Sequence, residues 1–266
     1  MKTPILIRSY FKDAQWVRYT LRSIRKYAKD FAYTVLVTPT RDHAVFEPLI
    51  KEFGCRWHEY VVREDKPMIH GIVMVCRADE ICPDADNILF FDSDCVFKET
   101  VCPADYLVDG KPIIIGREFS VFKDLTDPSA KIVYNHWRTN VTRALGFEPQ
   151  YETNIRVPCI FERDIFKPFR EAVEKHTSMP FNDYAFSCQD KFPMGFTEFT
   201  PLGNFALRNF KDRYFFGGDT DWINDPKWGQ LKADSGSLVL AVKTRQFWSH
   251  GGIKPEIKAE LEMICA

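Results

Sequence analysis

Over residues 1–100, short apolar runs take turns with longer stretches of helical periodicity. The run at 4–9 predicts a strand. Asp13 stands where a helix N-cap belongs. Trp16, Tyr19 or Thr20, Ile24 and Tyr27 follow near helical spacing, which predicts a helix over 14–28. Residues 33–38 are β-branched and apolar and predict a second strand. Asp42 opens a second helix, and Gly54 is placed to end it as a C-cap. A third strand is predicted over 57–62, a strongly apolar and therefore buried helix over 66–81, and a fourth strand over 88–91. The order β-α-β-α-β-α-β predicts an α/β fold, a mostly parallel central sheet with helices on both faces.

After residue 100 the pattern loosens. A strand is predicted over 113–116, and a helix over 164–176 with Phe166, Phe169 or Arg170, and Val173 along one face. Residues 179–228 are rich in aromatics, glycine and asparagine and yield no clear elements. There is no internal repeat, low-complexity tract or linker, so residues 1–266 are expected to form one domain with a regular half, 1–100, and a variable half, 101–266.

The most informative stretch is the end of the fourth strand, Ile88-Leu89-Phe90-Phe91-Asp92-Ser93-Asp94-Cys95-Val96-Phe97. A continuous apolar run reads as a strand buried on both faces. Alternation along a strand sends Asp92 and Asp94 to the same side. Two such carboxylates repel each other and are costly to desolvate. A hard divalent cation relieves both penalties, since Mg2+ and Mn2+ prefer oxygen ligands. In parallel sheets ligands bind beyond the carboxyl ends of the strands, which is where this pair falls.

Bulk properties narrow the class only slightly. With 266 residues, 45% hydrophobic and 27% charged, the composition is that of a globular protein. A net charge of −1 gives no sign of a general polyanion binder. No apolar stretch is long enough for a membrane span. Ile5-Leu6-Ile7 is too short for a signal-peptide core and is followed by Arg8. The eight cysteines lack close paired metal spacing, so free thiols and a cytoplasmic setting are expected.

A parallel α/β half ending in Asp-X-Asp resembles the glycosyltransferases of the A-type (GT-A) fold. That resemblance implies that Asp92 and Asp94 bind a divalent metal, Mn2+ or Mg2+, which holds the diphosphate of a nucleotide-sugar donor, and that Ser93 belongs to the same donor site. A second match is Phe247-Trp248-Ser249-His250-Gly251-Gly252-Ile253-Lys254-Pro255, which is similar to the late His-Gly-Lys-Pro element of several such families. By that resemblance His250 is a further metal ligand, Lys254 contacts the diphosphate, and Gly251 and Gly252 let the backbone approach it. The family element spaces these residues more widely. A third match, Thr197-Glu198-Phe199-Thr200-Pro201-Leu202-Gly203-Asn204-Phe205, resembles the Ser/Thr-Glu-aromatic…Gly-Asn element of poorly characterised bacterial and viral glycosyltransferase-like proteins.

The resemblance implies a donor half over 1–100 and an acceptor half over 101–266. Arg8, Ser9 and Tyr10 end the first strand at the edge that faces the nucleotide in this fold, with Asp65 and Lys66 nearby. An inverting transfer needs a base for the acceptor hydroxyl. Glu198 is the first candidate and Asp190 the second. Gly218, Asp219, Asp221 and Trp222 suit an acceptor sugar, with the indole face against the ring. The acceptor itself is not specified: a glycan, lipid-linked sugar, protein, metabolite or modified nucleic-acid base would all serve. Two alternatives stand beside this reading. Asp92-Ser93-Asp94-Cys95-Val96 also fits the nucleophile motif of haloacid-dehalogenase-like phosphatases, with Asp92 as nucleophile. A sugar-binding protein of the same fold without turnover is the other.

Overall fold

The computed structural model describes residues 1–123, 131–153, 158–218, 243–247 and 249–266. The first apolar run becomes β1 (Ile5–Arg8), and a tight turn over Phe11–Asp13 leads into α1 (Ala14–Tyr27). Then come β2 (Thr34–Pro39), α2 (His43–Phe53), β3 (Arg56–Tyr60), α3 (Pro67–Val75), α4 (Ala78–Ile81) and β4 (Asn87–Phe90). Gly54 ends α2 in the left-handed conformation, φ 66°, as its position predicts.

Two local expectations need correction. Asp13 stands at the N-cap position of α1, but its side chain makes no capping hydrogen bond to the helix N-terminus. The predicted helix over 66–81 is broken at Cys76 and Arg77. There Arg170 reaches in and donates to the Cys76 carbonyl at 2.7 Å while pairing with Asp79 at 2.6 Å. A carbonyl satisfied from outside no longer needs a helical partner, and no Gly or Pro marks the break in the sequence.

The second half adds β5 (Cys95–Phe97), β6 (Leu107–Val108), β7 (Lys111–Glu118), α5 (Phe119–Lys123), α6 (Arg138–Leu145), β8 (Tyr151–Glu152) and β9 (Cys159–Glu162). It continues with α7 (Phe166–Thr177), α8 (Phe181–Ser187), α9 (Phe199–Asn209), β10 (Phe215–Gly218), β11 (Thr244–Gln246) and α10 (Pro255–Cys265). So α8, α9 and β10 lie where the sequence pattern gave no elements.

The central sheet has the order β3-β2-β1-β4-β9. The first four strands are parallel, and β9 runs antiparallel to β4. The fold is therefore α/β with a mixed, mostly parallel sheet. β7 is the centre of a smaller sheet with β6, β8 and β10, and β11 pairs antiparallel with β5. Phe90 on β4 meets Phe161, Phe166 and Phe199 with ring centroids 5.3 to 6.3 Å apart, which ties the central sheet to α7 and α9. Fully burying one such side chain stabilises the fold by about 1.5–3 kcal/mol. The two halves interleave: β9 completes the first half's sheet, and α10 packs on α1 through Leu261, Ile264, Trp16 and Tyr19. Among the described residues no helix is long and apolar enough to cross a membrane.

Candidate active site

Strands β1, β2 and β3 step one way across the sheet, and β4 lies on the other side of β1. The carboxyl ends of β1 and β4 thus flank a topological switch point, the usual ligand crevice of a parallel sheet. Arg8 is the last residue of β1, and Asp92 lies two residues beyond β4. The Phe91 N–H donates to the Leu6 carbonyl at 3.0 Å, so the two chain ends leave the sheet side by side.

Asp92 and Asp94 converge, but not through strand alternation. The strand ends at Phe90, and residues 92–95 form a turn in which the Cys95 N–H donates to the Asp92 carbonyl at 3.1 Å. Ligand atoms of Asp92, Asp94 and Cys95 all lie within 4.8 Å of one another. Three buried polar groups hold this turn. The Thr20 hydroxyl donates to the Ser93 carbonyl at 2.8 Å, the Ser23 hydroxyl accepts the Phe97 N–H at 3.1 Å, and the Ser93 hydroxyl donates to Asp13 Oδ2 at 3.1 Å. Asp13 is buried and adds a third carboxylate beside the pair.

Glu198 comes to the same place from the second half. The sequence pattern assigns it to no element. It opens α9, is buried, and lies 3.7 Å from the Arg8 guanidinium through Oε1. Arg8 lies flat on α3 at Gly71, where an added Cβ would come within 2.8 Å of its Nη1. A side chain at 71 would therefore displace the arginine.

The C-terminal segment closes the other side. β11 is zipped to β5, the Phe247 N–H donates to the Asp94 carbonyl at 2.9 Å, and the Ser249 N–H donates to Asp94 Oδ2 at 2.9 Å. Gln246 Nε2 donates to Asp92 Oδ2 at 3.4 Å. Residues Ser249–Gly251 form one tight turn, so His250 directly follows the Ser249 N–H that binds Asp94, while its side chain lies outside the described structure. Gly251 and Gly252 have open space where a side chain would go, and Gly252 has φ 68°. Lys254 is exposed and opens α10.

The electrostatics follow from this crowding. Burial first, then the neighbouring Asp94, push the Asp92 carboxyl up to about 7, with Glu198 and Asp13 adding to the effect and Arg8 opposing it. Burial also raises Asp94, and the hydrogen bond from the Ser249 N–H holds it down in part. A divalent cation would remove the repulsion that raises both groups. The donor set fits a divalent cation of oxygen-preferring type, and the Cys95 thiol beside it leaves the choice of metal open.

No family model and no curated protein matches this chain.

The tertiary structure therefore unites Arg8, Asp92, Ser93, Asp94 and Glu198 with the turn at Ser249. Ser9 is buried next to Arg8, and Tyr10 is exposed with its ring edge-on to Phe11. Other predicted site residues have different posts. Asp190 Oδ1 accepts the Ile69 N–H at 2.8 Å and so caps α3 from a distant segment. Lys66 donates to the Cys188 carbonyl at 2.6 Å, and Asp65 is an exposed partner of Arg63 at 2.9 Å. Gly218 ends β10, while Asp219, Asp221 and Trp222 lie outside the described residues. Sequence reasoning missed Asp13, Thr20, Ser23, Cys95 and Gln246. Thr20 and Ser23 carried a signal: they are polar residues on the buried face of α1.

Proposed function

We propose that this chain is a metal-dependent glycosyltransferase of the A-type fold, moving a sugar from a nucleoside diphosphate donor, UDP in the first instance, to an acceptor hydroxyl. The observation that carries the reading is the hydrogen bond from the Ser249 N–H to Asp94 Oδ2 at 2.9 Å. It joins the Asp-X-Asp turn to the His-Gly-Gly-Ile-Lys-Pro segment, 155 residues away in sequence. Two motifs that resemble parts of one site become neighbours in space.

Asp92 and Asp94 would hold Mn2+ or Mg2+, with His250 as a further ligand. When bound, the cation would neutralise charge on the departing diphosphate. Gly251 and Gly252 leave room for phosphate oxygens, and Lys254 adds a positive charge on that side. Arg8, Ser9 and Tyr10 border the crevice where the nucleotide would lie. Glu198 is the candidate base, since it reaches the crevice from the half that would receive the acceptor. Asp65, Lys66 and Asp190 are engaged in local contacts and take no part in this scheme.

Asp94→Ala is the test. It removes a ligand and an acceptor for Ser249 without opening the apolar core. UDP-sugar should stabilise the wild type against heat in the presence of Mn2+ and should not stabilise the variant. Equal stabilisation of both proteins would remove the site assignment. A phosphoaspartate analogue trapped with beryllium fluoride at Asp92 would instead support the phosphatase reading.

A further inference from the structure

A cavity of about 620 Å³ opens between the helical stretch that includes α6, the end of α8 and the loop that follows it. Its polar lining includes Asn135, His136, Thr139, Arg143, Ser187 and Gln189. Among the described residues its lining contains no aspartate or glutamate. Arg143 is exposed and forms no ion pair among the described residues. Its positive charge reaches into the wall, where it opposes the burial that raises the Tyr184 hydroxyl and the Cys188 thiol. Tyr184 is buried beside Cys188, and its hydroxyl has no oxygen or nitrogen partner among the described residues.

These features select a ligand class. An uncompensated guanidinium in a wall without carboxylates favours an anion, and its planar fork suits phosphate oxygens. Amide and hydroxyl groups around it suit a body rich in hydroxyls. The volume lies within the range of small-molecule pockets and far exceeds a bare phosphate. The wall is also held in shape. Asn140 donates to the Met194 carbonyl at 3.3 Å, Gln189 donates to the Lys191 and Pro193 carbonyls at 3.0 and 3.2 Å, and Lys66 and Asp190 fasten the loop to α3.

We propose that this cavity is a binding site for a sugar phosphate, with Arg143 on the phosphate and the amide and hydroxyl groups on the sugar. The site is separate from the Asp92–Asp94 cluster and stands whether or not that cluster serves glycosyl transfer.

Calorimetric titration of the full chain with glucose 6-phosphate, inorganic phosphate and glucose tests it. Glucose 6-phosphate should bind saturably, more tightly than either of the other two. Arg143→Ala should weaken that binding by ~10- to 100-fold, the usual loss for a charge-assisted contact, and Arg143→Lys by less. The arginine is exposed, so its melting temperature serves as the check on folding. Asp94→Ala should bind glucose 6-phosphate as the wild type does. The proposal is overturned by no saturable binding, by equal affinity in Arg143→Ala, by phosphate or glucose binding as tightly as glucose 6-phosphate, or by loss of binding in Asp94→Ala.

Discussion

Asp92 is held in an unfavourable state, and that has a measurable sign. An aspartate in an unfolded chain titrates near ~3.9, whereas burial and Asp94 raise Asp92 to about 7 in the fold. A raised carboxyl pKa means that the folded state binds the proton more tightly than the unfolded state does. Its contribution to stability is therefore full below about 4 and is withdrawn as pH climbs from about 4 toward 7. In chelator, Asp92→Asn should melt higher than the wild type at pH 8, and the two should converge near pH 4. Added Mn2+ should reverse the order at pH 8, because only the wild type gains a ligand set. Identical melting curves across this range would show that Asp92 is not destabilised. Glu198 is tested differently. As a base it acts on the acceptor alone, so Glu198→Gln should keep Mn2+ and UDP affinity while transfer falls by ~10²–10⁴-fold. Normal transfer would remove it from the site, and loss of UDP-sugar but not UDP affinity would assign it to holding the sugar.

At the scale of elements, α1 and α10 act together to present the site. α1 holds the Asp-X-Asp turn through Thr20 and Ser23. It also anchors α10, with Tyr19 donating to Glu262 at 2.6 Å, Arg22 pairing with Glu262 at 3.0 Å, and Leu261 buried between them. The segment that meets Asp94 is thus fixed at one end by β11 and at the other by α10. Leu261→Ala should cost about 2–5 kcal/mol if the helix stays docked. If the smaller contact releases α10, the loss should show more strongly as weaker Mn2+ binding, read by paramagnetic resonance of the free ion. Unchanged metal affinity in Leu261→Ala would mean that β11 alone positions the turn.

At the scale of the molecule, one core runs from β1 through β4 and β9 to α7, α8 and α9. Chemical unfolding should therefore give coincident transitions by far-ultraviolet circular dichroism and by the fluorescence of the six tryptophans, which include Trp16 in the α1–α10 contact, Trp57 near the sheet edge and Trp137 in the second half. Two separated transitions would show that the halves unfold independently. The alternation of short apolar runs and helical periodicity in residues 1–100 determined the α/β class, the first four strands and the position of the Asp-X-Asp turn, because buried strands and amphipathic helices leave their periods in neighbouring residues. Gly54 determined a helix end for the same local reason. Residues 179–228 left no such record, since α9 is buried on nearly every side from Phe199 to Ala206 and α8 spans only 7 residues. The break between α3 and α4 depended on Arg170, and the meeting of Arg8, Asp13, Glu198 and Ser249 around Asp92 and Asp94 depended on where β9, α9 and β11 return to the sheet. Contacts between residues so far apart in sequence have no local pattern, and only the tertiary structure, by gathering four carboxylates around one crevice, decided which of them share a site.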